Sequence, residues 1–221
     1  LESSKAALLV LIGADAEGRK HVLTVTSGER ESVVSWSAVL RDLKARGLCA
    51  PKLTIADGHL GIWGALAAVY PTSAEQRCWN HKLRNVLDLV PKKLQAEVTV
   101  QLQQIAAAET RRAAIRLRDT FARTYRRVVP NAVECLERDW DRMVAYYALP
   151  QEHWKHLRTT HVIESPFAAV RLRTSAAKRF KKVDNATTLI WKTLLVVEQH
   201  FRKLNAPHLC TNVYNGAVFH D

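Results

Sequence analysis

The sequence predicts an α/β core whose chain is interrupted by an all-helical insertion. Three observations point there. Apolar runs of strand length, bounded by turn residues, are confined to the first third of the chain. Residues 81–149 carry helical periodicity and no strand signal. A further pair of helical segments, entered through a lone acid, follows that stretch.

Residues 6–13 (AALLVLIG) form a continuous apolar run ending at glycine, the mark of a strand covered on both faces. Asp15, Gly18 and their neighbours are turn chemistry, and residues 20–26 (KHVLTVT) alternate, so a hairpin is expected. Residues 29–46 place Val33, Trp36, Val39, Leu40 and Leu43 at helical spacing, and Gly47 stops them. Residues 52–56 (KLTIA) read as a short strand with Asp57-Gly58 just past its end, and residues 60–69 return to helix before Pro71. One more short strand is expected at 75–79. Helices follow at 92–108, 110–128 and 130–148, then at 185–204, with an irregular tail from Asn205. The organisation expected is residues 1–80 as the N-terminal part of the core, 81–157 as the insertion, 158–204 as the return to the core, and 205–221 as a tail. There is no internal repeat and no low-complexity tract.

A chain of 221 residues can bury one good core and a second small subdomain. Its charge is lopsided: 33 Lys and Arg against 21 Asp and Glu leave +12. That excess points to a polyanion, nucleic acid first, because each neutralised phosphate releases condensed counterions. A membrane surface is the rival, but no apolar run approaches the roughly 20 residues of a spanning helix. Cys49, Cys78, Cys135 and Cys210 are scattered and no secretory signal precedes them, so a reducing cytoplasm is expected. The chain opens at Leu1 without Met and runs at once into an apolar strand, which reads as a fragment of something longer.

Two carboxylates stand out. Asp57 follows a β-branched strand, where ligands gather in open α/β sheets, and Gly58 lets the backbone turn beneath it. Asp-Gly is also an ordinary turn pair. Glu164 sits at a helix start: Ser165 can cap, Pro166 suits the first helical position, and Phe167 and Val170 then share a face. The helix dipole favours any acid there. Behind Glu164 comes a basic ramp, Arg171, Arg173, Lys178, Arg179, Lys181 and Lys182, with no acid among them. A second basic run, Arg111, Arg112, Arg116, Arg118, Arg123, Arg126 and Arg127, decorates one insertion helix against Asp119. Each run alone is a solvated helix face as readily as a phosphate-tracking surface. Cys78-x-x-His81 has zinc-ligand spacing but is half a site. His153 and His156 repeat the interval, and a four-ligand clamp would need both pairs to converge; otherwise Cys78 is a buried small residue and His81 a hydrogen-bonding one. Trp79, Trp140 and Trp191 read as core aromatics.

RTTHVIESPFAAVRLRT, residues 158–174, resembles the glutamate motif of Mutator-like insertion-sequence transposases of bacteria, in which Arg-Thr-Thr-Asn-x-Ile-Glu-Ser-x-Phe carries the last acid of an Asp-Asp-Glu set. It departs at His161-Val162, where the family usually has Asn and often Pro. DGHLGIWGALAAVYP followed by CWNHKLRN resembles the family's second-Asp segment and its Cys-x-x-His signature. The resemblance runs from about Leu8 to the end of the chain. It implies a ribonuclease H-like core with a mixed sheet, its first strand and first Asp missing here, and two Mg²⁺ ions about 3.5–4 Å apart held by three carboxylates. Asp57 and Glu164 would be two of the three. In the family Asp15 would fall in a hairpin turn, not among the ligands. The implied activity is nicking at element ends and strand transfer into target DNA, by a bacterial, nucleoid-associated homo-oligomer. A catalytically inactive DNA-binding remnant and a ribonuclease H-like nuclease are the alternatives.

Overall fold

The computed structural model describes residues 7–28, 31–58, 60–176 and 182–219. In chain order the elements are β1 (Ala7–Ala14), β2 (Lys20–Gly28), α1 (Val33–Ala45), β3 (Leu53–Ala56), α2 (Leu60–Val69), β4 (Ala74–Arg77) and α3 (Trp79–Leu87). There follow α4 (Lys92–Ala106), α5 (Arg111–Tyr125), α6 (Pro130–Glu137), α7 (Trp140–Met143) and α8 (Trp154–Leu157), and finally α9 (His161–Glu164), α10 (Phe167–Ala176), α11 (Val183–Glu198) and α12 (His208–Tyr214). The class is mixed α/β, mostly helical. The strands pair as two ladders of two, where one mixed sheet was expected: β1–β2 antiparallel and β3–β4 parallel. Two compact units result, one holding β1, β2, α1, α2 and α9–α12, the other β3, β4 and α3–α8.

In the first unit the hairpin has helices on both faces, as its unbroken apolar run requires. Leu9, buried to 1% exposure, meets Val39 and Leu43 of α1. Its neighbour Val10 points the other way, into Val22, Val25, Val170 of α10 and Leu194 of α11. The turn is held by Asp15, whose Oδ1 accepts from the backbone N–H of Glu17 (3.0 Å) and Arg19 (2.8 Å). Helix α1 begins later than its periodicity suggests because Ser32 caps it, Oγ accepting from Ser35 N at 3.1 Å. It ends as Gly47 predicts: at φ +99° that residue lets Leu48 N–H reach back to Leu43 C=O, 2.9 Å. Glycines 61 and 64 let α2 lie close to the start of α1; a Cβ on Gly61 would stand 2.5 Å from the Glu31 carbonyl oxygen.

The second unit is built round one apolar core. Val98, Leu102 and Ile105 of α4, Ala114 and Phe121 of α5, and Ala132, Val133 and Leu136 of α6 are all at most 1% exposed. Tyr146, Tyr147 and Trp154 close it as an aromatic stack. Gln76 of β4 is fully buried and fully used. Its Nε2 donates to Met143 C=O (3.1 Å) and Arg77 C=O (2.8 Å), and its Oε1 accepts from Tyr146 N–H (3.0 Å).

Three expectations are corrected. The stretch 130–148 is not one helix: Asp139 and Val144 leave helical geometry, splitting it into α6, α7 and a 3₁₀ turn at Ala145–Ala148. The last strand ends at Arg77, not residue 79; Cys78 is the N-cap of α3, which Trp79 opens. The tail is not irregular, because Leu209, Cys210 and Val213 follow Pro207 at helical spacing and form α12 around a buried Cys210.

Leu102→Ala is expected to cost about 2–5 kcal/mol through lost burial and the cavity left behind. Val100→Ala on the same helix, at 53% exposure, should cost under about 1 kcal/mol. Urea unfolding of both variants measures the difference.

Candidate functional site

The parallel pair β3–β4 sets the site's frame. Ala56 stands opposite Arg77 in register, and Cys78 N–H donates to Ala56 C=O at 2.7 Å, so pairing continues one step past the end of β4. Asp57 and Cys78 therefore leave adjacent strands at the same, carboxyl, end. Asp57 is exposed there. Gly58 holds φ +99°, and a Cβ on it would lie 2.4 Å from Arg77 Nε and 2.7 Å from its Cζ. Glycine is required twice, by the left-handed backbone and by the guanidinium laid across it.

That guanidinium is part of a half-buried ion cluster whose lysine is fully enclosed. Asp139, between α6 and α7, accepts from Arg77 Nη1 and from Lys82 Nζ, the latter at 3.0 Å, while Arg142 Nη1 stands 3.7 Å from its other oxygen. Lys82 is 1% exposed, so its ammonium is neutralised inside the protein or not at all. Burial, with the Arg77 charge adding to it, pulls Lys82 below the usual lysine range against the attraction of Asp139. Burial would raise the Asp139 carboxyl, but the hydrogen bond and charge of Lys82, then those of Arg77, hold it below the usual carboxylate range.

Cys78 is fully buried at the N-cap of α3, with His81 on the first turn. Its sulfur and a His81 ring nitrogen lie within 4.8 Å. The sulfur also accepts from Thr160, from N–H at 3.3 Å and from Oγ1–H at 3.2 Å. Trp79 N–H donates to Arg158 C=O, 2.9 Å, so residues 158–160 are pinned against the start of α3. Among the described residues, neither His153 nor His156 joins Cys78 and His81 in a cluster that one ion could span. The four-ligand clamp is not formed.

Glu164 belongs to the first unit, as the last residue of α9, and is exposed. Pro166 does not open a helix directly behind it; Ser165 and Pro166 make a turn before α10. Phe167 and Val170 do share the face that packs on the hairpin. Arg171 and Arg173 are exposed on α10, and Lys182 is exposed at the N-cap of α11. Lys178, Arg179 and Lys181 lie outside the described residues. Asp15 is committed to its turn: burial works against its charge, but hydrogen bonds from His21, at 3.0 Å, and from Arg19 outweigh this and hold it far below the usual range. Sequence reasoning missed Arg77, Lys82, Asp139 and Thr160. Lys82 and Thr160 lie inside the segments CWNHKLRN and RTTHVIESPFAAVRLRT without being singled out by them, Arg77 and Asp139 lie in no motif, and the one further signal was Gly58.

Comparison with known proteins decides the family. The family model described as "Transposase, Mutator family" matches residues 2–203. The chain belongs to the Mutator family of transposases. It is 42% identical over its whole length to the transposase for insertion sequence element IST2 of Acidithiobacillus ferrooxidans, covering 75% of that protein. It is 41% identical to the transposase for IS6120 of Mycolicibacterium smegmatis, covering 68% of it. Against the transposase for ISRM5 of Rhizobium meliloti it is 30% identical over 88% of the chain. The family is one of DNA-processing enzymes. No helix among the described residues is long and apolar enough to cross a membrane.

Replacing Asp139 by Asn keeps its size and strands the Lys82 charge, so a loss of about 3–5 kcal/mol at pH 7 is expected in urea unfolding. Because the folded carboxyl titrates lower than the unfolded one, its stabilisation is complete at neutral pH and disappears as pH falls through the folded value. The gap between wild type and Asp139→Asn should therefore shrink on acidification. A gap that stays constant down to about pH 3 would assign the loss to something other than this charge.

Proposed function

We propose that this Mutator-family chain contributes Asp57 and Glu164 to a metal-dependent phosphoryl-transfer centre on a ribonuclease H-like core, which nicks insertion-sequence ends and joins them to target DNA. The observation that carries the proposal is Asp57: an exposed carboxylate at the carboxyl end of a parallel strand, beside a glycine that nothing larger can replace. The donor chemistry fits a hard divalent cation. Asp57 and Glu164 offer exposed oxygens, whereas the neighbouring soft ligand, Cys78, is buried and already accepts two hydrogen bonds. When bound, Mg²⁺ supplies Lewis-acid activation of the attacking oxygen and charge stabilisation at the leaving one, and two ions are expected.

The chain's own residues then have separate tasks. Asp57 and Glu164 hold the cations. Arg77, fixed by Asp139, lies over Gly58 and fixes the backbone from which Asp57 projects. Cys78 and Thr160 pin the segment that leads toward Glu164. Arg171, Arg173 and Lys182, with Lys178, Arg179 and Lys181 of the same run, neutralise DNA phosphates. Such an enzyme works on the bacterial nucleoid and pairs element ends as a homo-oligomer.

In the full transposase, Asp57→Asn and Glu164→Gln should each lower Mg²⁺-dependent nicking of an end-sequence duplex by on the order of 10²–10³-fold or more, with DNA affinity nearly kept. Asp15→Ala should leave nicking intact while loosening the hairpin. Wild-type nicking by Asp57→Asn would remove the central residue from this reading.

A further inference from the structure

Helix α5 carries arginines of two kinds. Arg118 is paired with Asp119 at 2.6 Å and lies 4.6 Å from the Trp140 ring, Arg126 reaches Glu137 at 2.5 Å, and Arg111 stands 3.9 Å from Asp141. These three serve the fold. Arg112, Arg116 and Arg123 are exposed, as is Arg127 in the turn after the helix, and among the described residues no carboxylate pairs with any of the four. At 100° per residue, Arg112, Arg116 and Arg123 fall within about 40° of one another, on a single line along the helix. They span about 16 Å, the axial rise of about five successive phosphates on one strand of a duplex.

The rod beneath them is fixed. Thr110 Oγ1 caps it through Ala113 N–H at 3.1 Å, Phe121 and Ala122 are buried behind it, and Tyr125 donates to Glu97 at 2.6 Å while accepting from Gln101 at 3.0 Å. The line of arginines carries no aromatic for bases to stack on; Asp119, its charge taken by Arg118, falls on the same stripe with its side chain 46% exposed, and Leu117, Thr120 and Thr124 are exposed beside it. Guanidinium forks at fixed intervals without a base platform suit phosphate oxygens and leave sequence unread.

We propose that Arg112, Arg116 and Arg123, with Arg127 at the end, form a sequence-independent binding surface for a DNA backbone on the helical insertion, separate from the basic run behind Glu164. This rests on the DNA-processing reading above. The test is fluorescence anisotropy of the full chain with a duplex of arbitrary sequence, titrated at several salt concentrations. Arg112→Gln/Arg116→Gln/Arg123→Gln should flatten the plot of log affinity against log salt by about 2.7, at roughly 0.9 for each phosphate no longer neutralised, and equally for unrelated sequences. The corresponding triple Lys variant should keep the slope, since counterion release depends on charge. Lys92→Gln/Lys93→Gln/Arg138→Gln, which removes as many exposed cations elsewhere in the second unit, should leave it unchanged. If the wild type binds with a steep salt dependence that the Gln triple does not alter, the surface is merely solvated and the proposal falls while the DNA reading stands. If the wild type shows no salt-dependent affinity for DNA, both fall together. A slope change confined to one sequence would also overturn a backbone surface.

Discussion

The second unit depends on a single carboxylate. Asp139 sits where α6 stops and α7 starts, and it neutralises Arg77 from the end of β4 and Lys82 from α3. Two cations from one segment converge on one acid from another, about sixty residues on. A buried ion pair is weak as a source of net stability, since a well-packed apolar substitute does as well. Its value lies in what it forbids. An arrangement of β4, α3 and the α6–α7 corner that separates these groups leaves Lys82 charged and unsolvated, so the cluster selects one arrangement among many of similar packing.

That selection reaches the candidate site through Gly58. Arg77 cannot both pair with Asp139 and leave room for a side chain at residue 58, so the turn that presents Asp57 is shaped by a charge contributed from the helical stretch. The helical stretch thus has a structural consequence inside the second unit: residues 130–148 supply a partner that the strand end lacks. The break of that stretch into α6 and α7 falls at the same residue, Asp139. A continuous helix through Asp139 would satisfy the amphipathic pattern of Leu136, Trp140 and Val144, whereas the break leaves Asp139 at the corner where it meets Arg77 and Lys82.

Local patterns were therefore legible and long-range ones were not. The hairpin, its two covered faces, the Gly47 stop and α2 all follow from periodicity and turn chemistry within about fifteen residues of chain. Asp57 stood out because strand, acid and glycine are consecutive, and Glu164 because its motif is. Arg77, Lys82 and Asp139 look like surface charges in the sequence, because burial of a lysine is decided by what packs over it and not by its neighbours in the chain. Helix α12 escaped notice for a different reason: at seven residues it is too short for periodicity to separate it from a turn.

The Cys-x-x-His interval shows how a spacing can have more than one physical cause. Zinc would explain it by two ligands on one turn, but a structural zinc site needs four, and the next pair of histidines does not arrive. The interval is equally that between an N-cap and the first turn of a helix, which is where Cys78 and His81 stand. At the N-cap the sulfur faces inward and is fully buried, and both polar hydrogens of Thr160 are directed at it. A serine there would offer a better acceptor to Thr160 but would fill less of an apolar site. The thiol is small, apolar enough to bury and polar enough to accept two weak hydrogen bonds. Those demands, made where two segments of chain must be tied together, give this cysteine a purpose that requires no ion.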